Sequence, residues 1–118
     1  MEDLDAWQEA RVLLKMVYKS TAHFPATEKF NLSKHMRECS RNIPGNIGEA
    51  FGRYHYQESM QFYRIARGSL TELKSDIYSS FDCEYVSKEE FSSLLSQNEK
   101  VGKLLNGLIK SVSLVKYR

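Results

Sequence analysis

The chain has 118 residues, 17 basic and 15 acidic side chains, a formal charge of +2 and a hydrophobic share of 42%. That length holds one domain around one core, and the charge is too mild to demand a nucleic-acid partner although it suits one. The opening residues MEDLDAWQ are acidic, and no apolar stretch approaches the roughly 20 residues of a bilayer span, so neither a signal peptide nor a membrane partner is expected.

A first helix is expected over 5–24. Trp7, Ala10, Leu14, Val17, Thr21 and Phe24 recur at alternating steps of 3 and 4, which traces one helix face. Asp5 and Gln8 suit a capping box at its start, and Pro25 ends it because the residue before a proline resists helical angles. A second helix, 28–53, carries Leu32, Met36, Cys39, Ile43, Ile47 and Ala50, and its period passes straight through Pro44. A third, 57–84, carries Met60, Tyr63, Ala66, Leu70, Leu73, Ile77 and Phe81, with Phe62 and Ile65 on a second apolar face. The fourth, 88–115, has the most regular stripe: Phe91, Leu94, Asn98, Val101, Leu105, Leu108, Val112 and Val115. Ser87 and Glu90 form its capping box. No strand alternation occurs. The expected fold is all-α, one domain over 1–118, an antiparallel up-and-down four-helix bundle with helix 2 bent at Pro44.

The stretch NIPGNIGEAFGR, 42–53, is costly for a helix. Pro44 removes a hydrogen bond and crowds the Ser40 carbonyl at about 3 kcal/mol, and each glycine costs up to about 1 kcal/mol relative to alanine. GNIG has the G-x-x-G form of a nucleic-acid-binding KH loop, but the strands such a domain needs are missing. The preferred reading is packing. Gly45, Gly48 and Gly52 share a helix face and would let a neighbouring backbone come close, with Gly68, Gly102 and Gly107 as candidates for the same part.

NIPGNIGEAFGR followed by FYRIARGSLTEL resembles the motif pair of the bacterial 23S rRNA-intervening sequence proteins, S-I-P-S-N-I-A-E-G-F-G-R and R-F-L-x-I-A-R-G-S-L-x-E-L. Trp7 and the closing VGKLLNGLIKSV are similar to that family's ends, so the likeness covers nearly the whole chain. The resemblance implies an antiparallel four-helix bundle that assembles as a ring-like homopentamer, with no enzymatic activity established. Some members are encoded within large-subunit ribosomal RNA genes. A related protein, the accessory variability determinant of diversity-generating retroelements, partners a reverse transcriptase and nucleic acid. The chain departs from the pattern at Gly45 and at Gly48-Glu49-Ala50, and near His55-Tyr56, where the cap of helix 3 is weakened.

No catalytic, cofactor or metal signature stands out. His23, His35 and His55 lack signature partners, and none has an arginine four to six residues before it, as some helical-bundle ribonucleases do. His35 and Cys39, one turn apart, could share a metal, but the sequence offers no second ligand pair, so a core cysteine and a surface histidine are preferred. Glu89 and Glu90 suit a helix N-terminus. With only Cys39 and Cys83, a reduced cytoplasmic protein is expected, a single disulfide staying open. Charge is the remaining signal. Residues 75–99 hold six acids and one base, and residues 100–118 hold five bases and no acid.

The expected nucleic-acid contacts are Arg53, Arg64, Arg67 and Lys74 joined by Lys100, Lys103, Lys110, Lys116 and Arg118, with Tyr54, Tyr56 and Tyr63 available for base stacking. The competing reading is a solvated helix end, with Arg53 and Arg67 paired to Glu49 or Glu72. Pro44, Gly45, Gly48, Gly52, Phe62, Ile65, Gly68, Tyr78, Phe81 and Tyr85 are the close-packing or interface candidates. The favoured function is a non-enzymatic homo-oligomeric scaffold for RNA, DNA or a nucleic-acid enzyme. The alternatives are a protein-protein adaptor and, more remotely, a small enzyme with a site at subunit boundaries.

Overall fold

A computed structural model describes residues 4–53 and 55–115. Four helices, α1 (Asp5–Thr21), α2 (Leu32–Phe51), α3 (Tyr56–Asp82) and α4 (Lys88–Val115), follow one another with a 3-10 turn at Ala26–Glu28, and no strand occurs among the described residues. Each helix packs on two others: α1 on α2 and α4, α3 on α2 and α4. Consecutive helices run antiparallel. Arg37 at the start of α2 bonds Thr21 at the end of α1, Ser59 at the start of α3 bonds the Ala50 carbonyl near the end of α2, and Ser20 of α1 reaches Glu90 at the start of α4. The bundle measures 50 × 25 × 22 Å.

The apolar stripes meet in one core. Leu13, Val17, Met36, Ile43, Ile47, Leu73, Ile77, Leu94, Val101 and Leu105 are fully buried, each side chain contributing about 1.5–3 kcal/mol of burial free energy. Asn98, which interrupts the α4 stripe, is buried, and its amide donates to the Leu70 carbonyl at 3.1 Å.

Several ends differ from expectation. α1 starts at Asp5 with Leu4 at the cap position and no side-chain cap bond, so Asp5 lies inside the helix and not before it. It stops at Thr21, and α2 starts at Leu32, four residues late. Glu28 is held in the 3-10 turn, where it accepts from the Asn31 side chain and from Tyr85 Oη at 2.7 Å. The Ser87–Glu90 box forms as expected: the Glu90 amide donates to Ser87 Oγ at 3.1 Å and the Ser87 amide to Glu90 Oε1 at 3.2 Å. α3 ends in a left-handed Glu84 (φ 61°), where the Tyr85 amide donates to the Ser80 carbonyl and closes the turn.

α2 stays helical through Pro44, whose ring is buried beside Ile43 and Ile47. The glycine expectation is corrected within the chain. A Cβ at Gly45, Gly68 or Gly107 would meet nothing within 4 Å, and one at Gly52 only its own helix's carbonyls at 3.7 and 3.8 Å. At Gly102 a Cβ would lie 3.4 Å from Leu70 Cδ2, so the intramolecular close approach falls there. Gly45 is exposed because the buried stripe of α2 runs through Pro44 and Ile47, on the other side of the turn.

Candidate nucleic-acid interface

The expected basic residues divide into paired and unpaired groups. Arg53 is tied to Glu49 at 3.0 Å and Glu58 at 3.9 Å and lies over the Phe62 ring, a structural role at the α2–α3 corner. Lys74 pairs with Glu99 at 3.8 Å and Lys100 with Glu9 at 3.3 Å. The Lys100 and Gln97 side chains together hold the Glu9 carboxyl below the usual carboxylate range, Gln97 acting most strongly. Among the described residues Arg64, Arg67, Lys103 and Lys110 have no carboxylate within 4 Å, so Arg67 does not take Glu72 as a partner. Arg67, Lys74 and Lys103 line one groove of about 360 Å³ between α3 and α4, floored by Leu70 and Gly102. Arg64 lies apart, in a hollow with Tyr56, Met60 and Ile65. Tyr63 is buried, which removes it from base stacking and pushes its hydroxyl pKa up. Lys116, Arg118 and Tyr54 lie outside the described residues.

A second basic surface was not anticipated. On the α1–α2 side Arg11 lies 4.7 Å over Trp7, and Arg37 lies 4.9 Å over Tyr18 while its Nε donates to Thr21 Oγ1 at 2.8 Å. Arg41 donates to Tyr18 Oη. None of the three has a carboxylate within 4 Å among the described residues. Two of these guanidinium groups are held over rings and the third by the Tyr18 hydroxyl, so they lose little freedom on meeting a phosphate. The row runs into a shallow groove of about 480 Å³ lined by Trp7, Arg11, Pro44, Gly45, Gly48 and Glu49. Gly45 and Gly48 therefore line a surface groove, in which Gly52 takes no part. Arg37 and Arg41, one turn apart on α2, were the available sequence signal, but their meeting with Tyr18 depends on how α1 and α2 align.

The interface candidates do not make one face. Ile65 and Tyr78 are exposed but sit 140° apart around α3 at 100° per residue. Phe62 and Ile65 flank the α2 side, whereas Tyr78 and Phe81 contact the Phe91 ring of α4 at 5.2 and 4.4 Å between centroids. Tyr85 packs on Phe24 and donates to Glu28, so it locks the two joints together. Phe30, 80% exposed, and Phe51 are apolar surface that helical periodicity did not single out.

The histidines find partners. His23 Nε2 lies 3.0 Å from Glu90. His35 meets two acids of α3: Nδ1 bonds Asp76, and Nε2 lies 3.3 Å from Glu72 Oε2. The Asp76 hydrogen bond raises His35 above the ordinary imidazole value, with Glu72 adding to it against the effect of burial. Cys39 Sγ lies 3.6 Å from both His35 Nε2 and Glu72 Oε2. Among the described residues no helix is long and apolar enough to cross a membrane.

Residues 2–107 match a family model described as 23S rRNA-intervening sequence protein. The fold is similar to the crystal structure of a protein of unknown function from the S23 ribosomal protein family of Bacteroides thetaiotaomicron. The TM-score is 0.82 at 19% identity, over 89% of this chain and 98% of that one. No curated protein matches.

Proposed function

The chain belongs to the 23S rRNA-intervening sequence protein family, and from that premise we propose that it is a non-enzymatic, oligomeric scaffold that docks structured RNA on arginines. The observation that carries this reading is the α1–α2 row: Arg11, Arg37 and Arg41, free of acid partners, held by Trp7 and Tyr18. Guanidinium groups in that state bind phosphate oxygens in pairs, position the nucleic acid and read little sequence. The Arg67–Lys103 groove lies on the opposite, α3–α4 edge of the bundle and offers a weaker site, because among the described residues no ring holds its basic side chains and Lys74 is already paired with Glu99. Repeating the row around a homo-oligomer multiplies the phosphate contacts without new chemistry.

The test is charge reversal. Arg11→Glu with Arg41→Glu lowers the affinity for a structured RNA at least tenfold, whereas Arg67→Glu with Lys103→Glu has the smaller effect. Equal affinity of all three proteins would remove both basic sites from the account, and no binding by any of them would leave the adaptor reading.

A further inference from the structure

We propose that His35, Cys39 and Glu72 form a binding site for a divalent transition-metal cation, with Asp76 as the residue that positions the imidazole. The four residues come as two pairs one helical turn apart, His35/Cys39 on α2 and Glu72/Asp76 on α3, and the register of the two helices brings the pairs face to face. Asp76 Oδ, Cys39 Sγ and a His35 ring nitrogen all lie within 4.8 Å of one another.

The geometry is specific. His35 Nε2 to Glu72 Oε2 is 3.3 Å, and Cys39 Sγ is 3.6 Å from each of those atoms. Zinc in tetrahedral coordination, with bonds of about 2.0–2.1 Å to nitrogen, 2.0–2.2 Å to oxygen and 2.3 Å to sulfur, sets its donors about 3.3 Å apart for nitrogen and oxygen and about 3.5–3.6 Å apart when one is sulfur. The three donor atoms thus outline one face of a zinc tetrahedron. The other imidazole nitrogen, Nδ1, is bonded to Asp76, the arrangement in which a carboxylate fixes the ring of a metal-bound histidine. Cys39 is buried beneath, while Glu72 and His35 are exposed, so the cation enters from solvent and the fourth position is left for water. Thiolate with imidazole and carboxylate suits zinc or cobalt over magnesium or calcium.

Without metal the same atoms form a hydrogen-bonded cluster. Binding exchanges the cation for the thiol proton and for any proton carried on Nε2, released to solvent, while Nδ1 keeps its proton and donates it to Asp76. Glu72 and Asp76 set two carboxylates beside the cluster, a charge that suits a dication. The bound cation would staple α2 to α3 near the end where α2 begins and α3 finishes.

The test is titration of the metal-depleted full-length protein with Co²⁺. One equivalent per chain should produce a sulfur-to-cobalt charge-transfer band and the intense visible bands of four-coordinate cobalt, and Zn²⁺ should displace both. Cys39→Ser abolishes the charge-transfer band, Cys83→Ser retains it, and Asp76→Asn weakens binding by about 10–100-fold. Glu72→Gln, at an exposed side chain, removes a ligand without touching the core and covers the case in which Cys39→Ser fails to fold. A wild-type protein with no charge-transfer band, a band that survives Cys39→Ser, or an affinity unchanged in Glu72→Gln overturns the site. Unchanged affinity in Asp76→Asn overturns the positioning role.

Discussion

Replacing Gly68 by alanine should make the chain more stable. Gly68 lies in the interior of the 27-residue α3, and a Cβ built there meets nothing within 4 Å. The substitution therefore removes glycine's backbone freedom at no steric cost, a gain of about 0.8–1.0 kcal/mol. Unfolding entropy is about 2.1 cal/mol/K per residue, which over 118 residues is about 0.25 kcal/mol/K, so the gain raises the midpoint by about 4 °C. Gly102→Ala provides the contrast. Its Cβ would lie 3.4 Å from Cδ2 of buried Leu70, at the tight edge of ordinary contact, so a small shift of that side-chain tip makes the gain smaller than at Gly68. Far-UV circular dichroism melts at several protein concentrations, with sedimentation velocity to fix the assembly state, measure both. A lower midpoint for Gly68→Ala, or an equal gain for Gly102→Ala, would refute the reasoning from local space.

Other consequences are as direct. Glu84 occupies a left-handed conformation at the end of α3, so Glu84→Gly should stabilise the chain by about 1 kcal/mol in chemical denaturation. Burial pushes the Glu90 carboxyl up, but the Ser87 amide, His23 and Ser20 together outweigh it and hold its pKa below the usual 4.5. A lowered pKa gives stability that is complete above 4.5 and is lost as the pH falls through the folded value. The advantage of the wild type over Glu90→Gln should accordingly shrink on acidification below 4.5 in denaturation series, and a constant difference would exclude this linkage. Tyr78→Ala with Phe81→Ala should dissociate the proposed homo-oligomer in sedimentation velocity if that aromatic cluster is the contact between copies. Ile65→Ala probes the other cluster, and an assembly unaffected by both sets would place the contact elsewhere.

Much of the fold could be read from periodicity because each stripe reports one helix's own buried face. Leu94, Val101 and Leu105 are buried where the steps of 3 and 4 place them, and even Asn98 keeps its place by bonding a backbone carbonyl. The helix ends were less legible. Asp5 had the chemistry of a cap but lies inside the helix, and Glu28 was drawn out of α2 by Tyr85, 57 residues away. The sites were the least legible, because they depend on register between helices. Glu72 and Asp76 stand 33 and more residues from Cys39, and nothing within a single stripe specifies that α3 sets them opposite His35. Arg37 and Arg41 similarly acquire their meaning only beside Tyr18. The basic tail of helix 4 overstated its case, since Lys100 is neutralised by Glu9 across the bundle.

The most direct test of the central claim is fluorescence anisotropy of a labelled structured RNA titrated with the purified protein across a salt series. Docking on the arginine row requires log K to fall linearly with log salt, by about 0.7–0.9 for each phosphate neutralised, and the slope to become shallower when Arg11 and Arg41 are reversed. Absence of binding at low salt, or binding whose affinity does not change with salt, would contradict it.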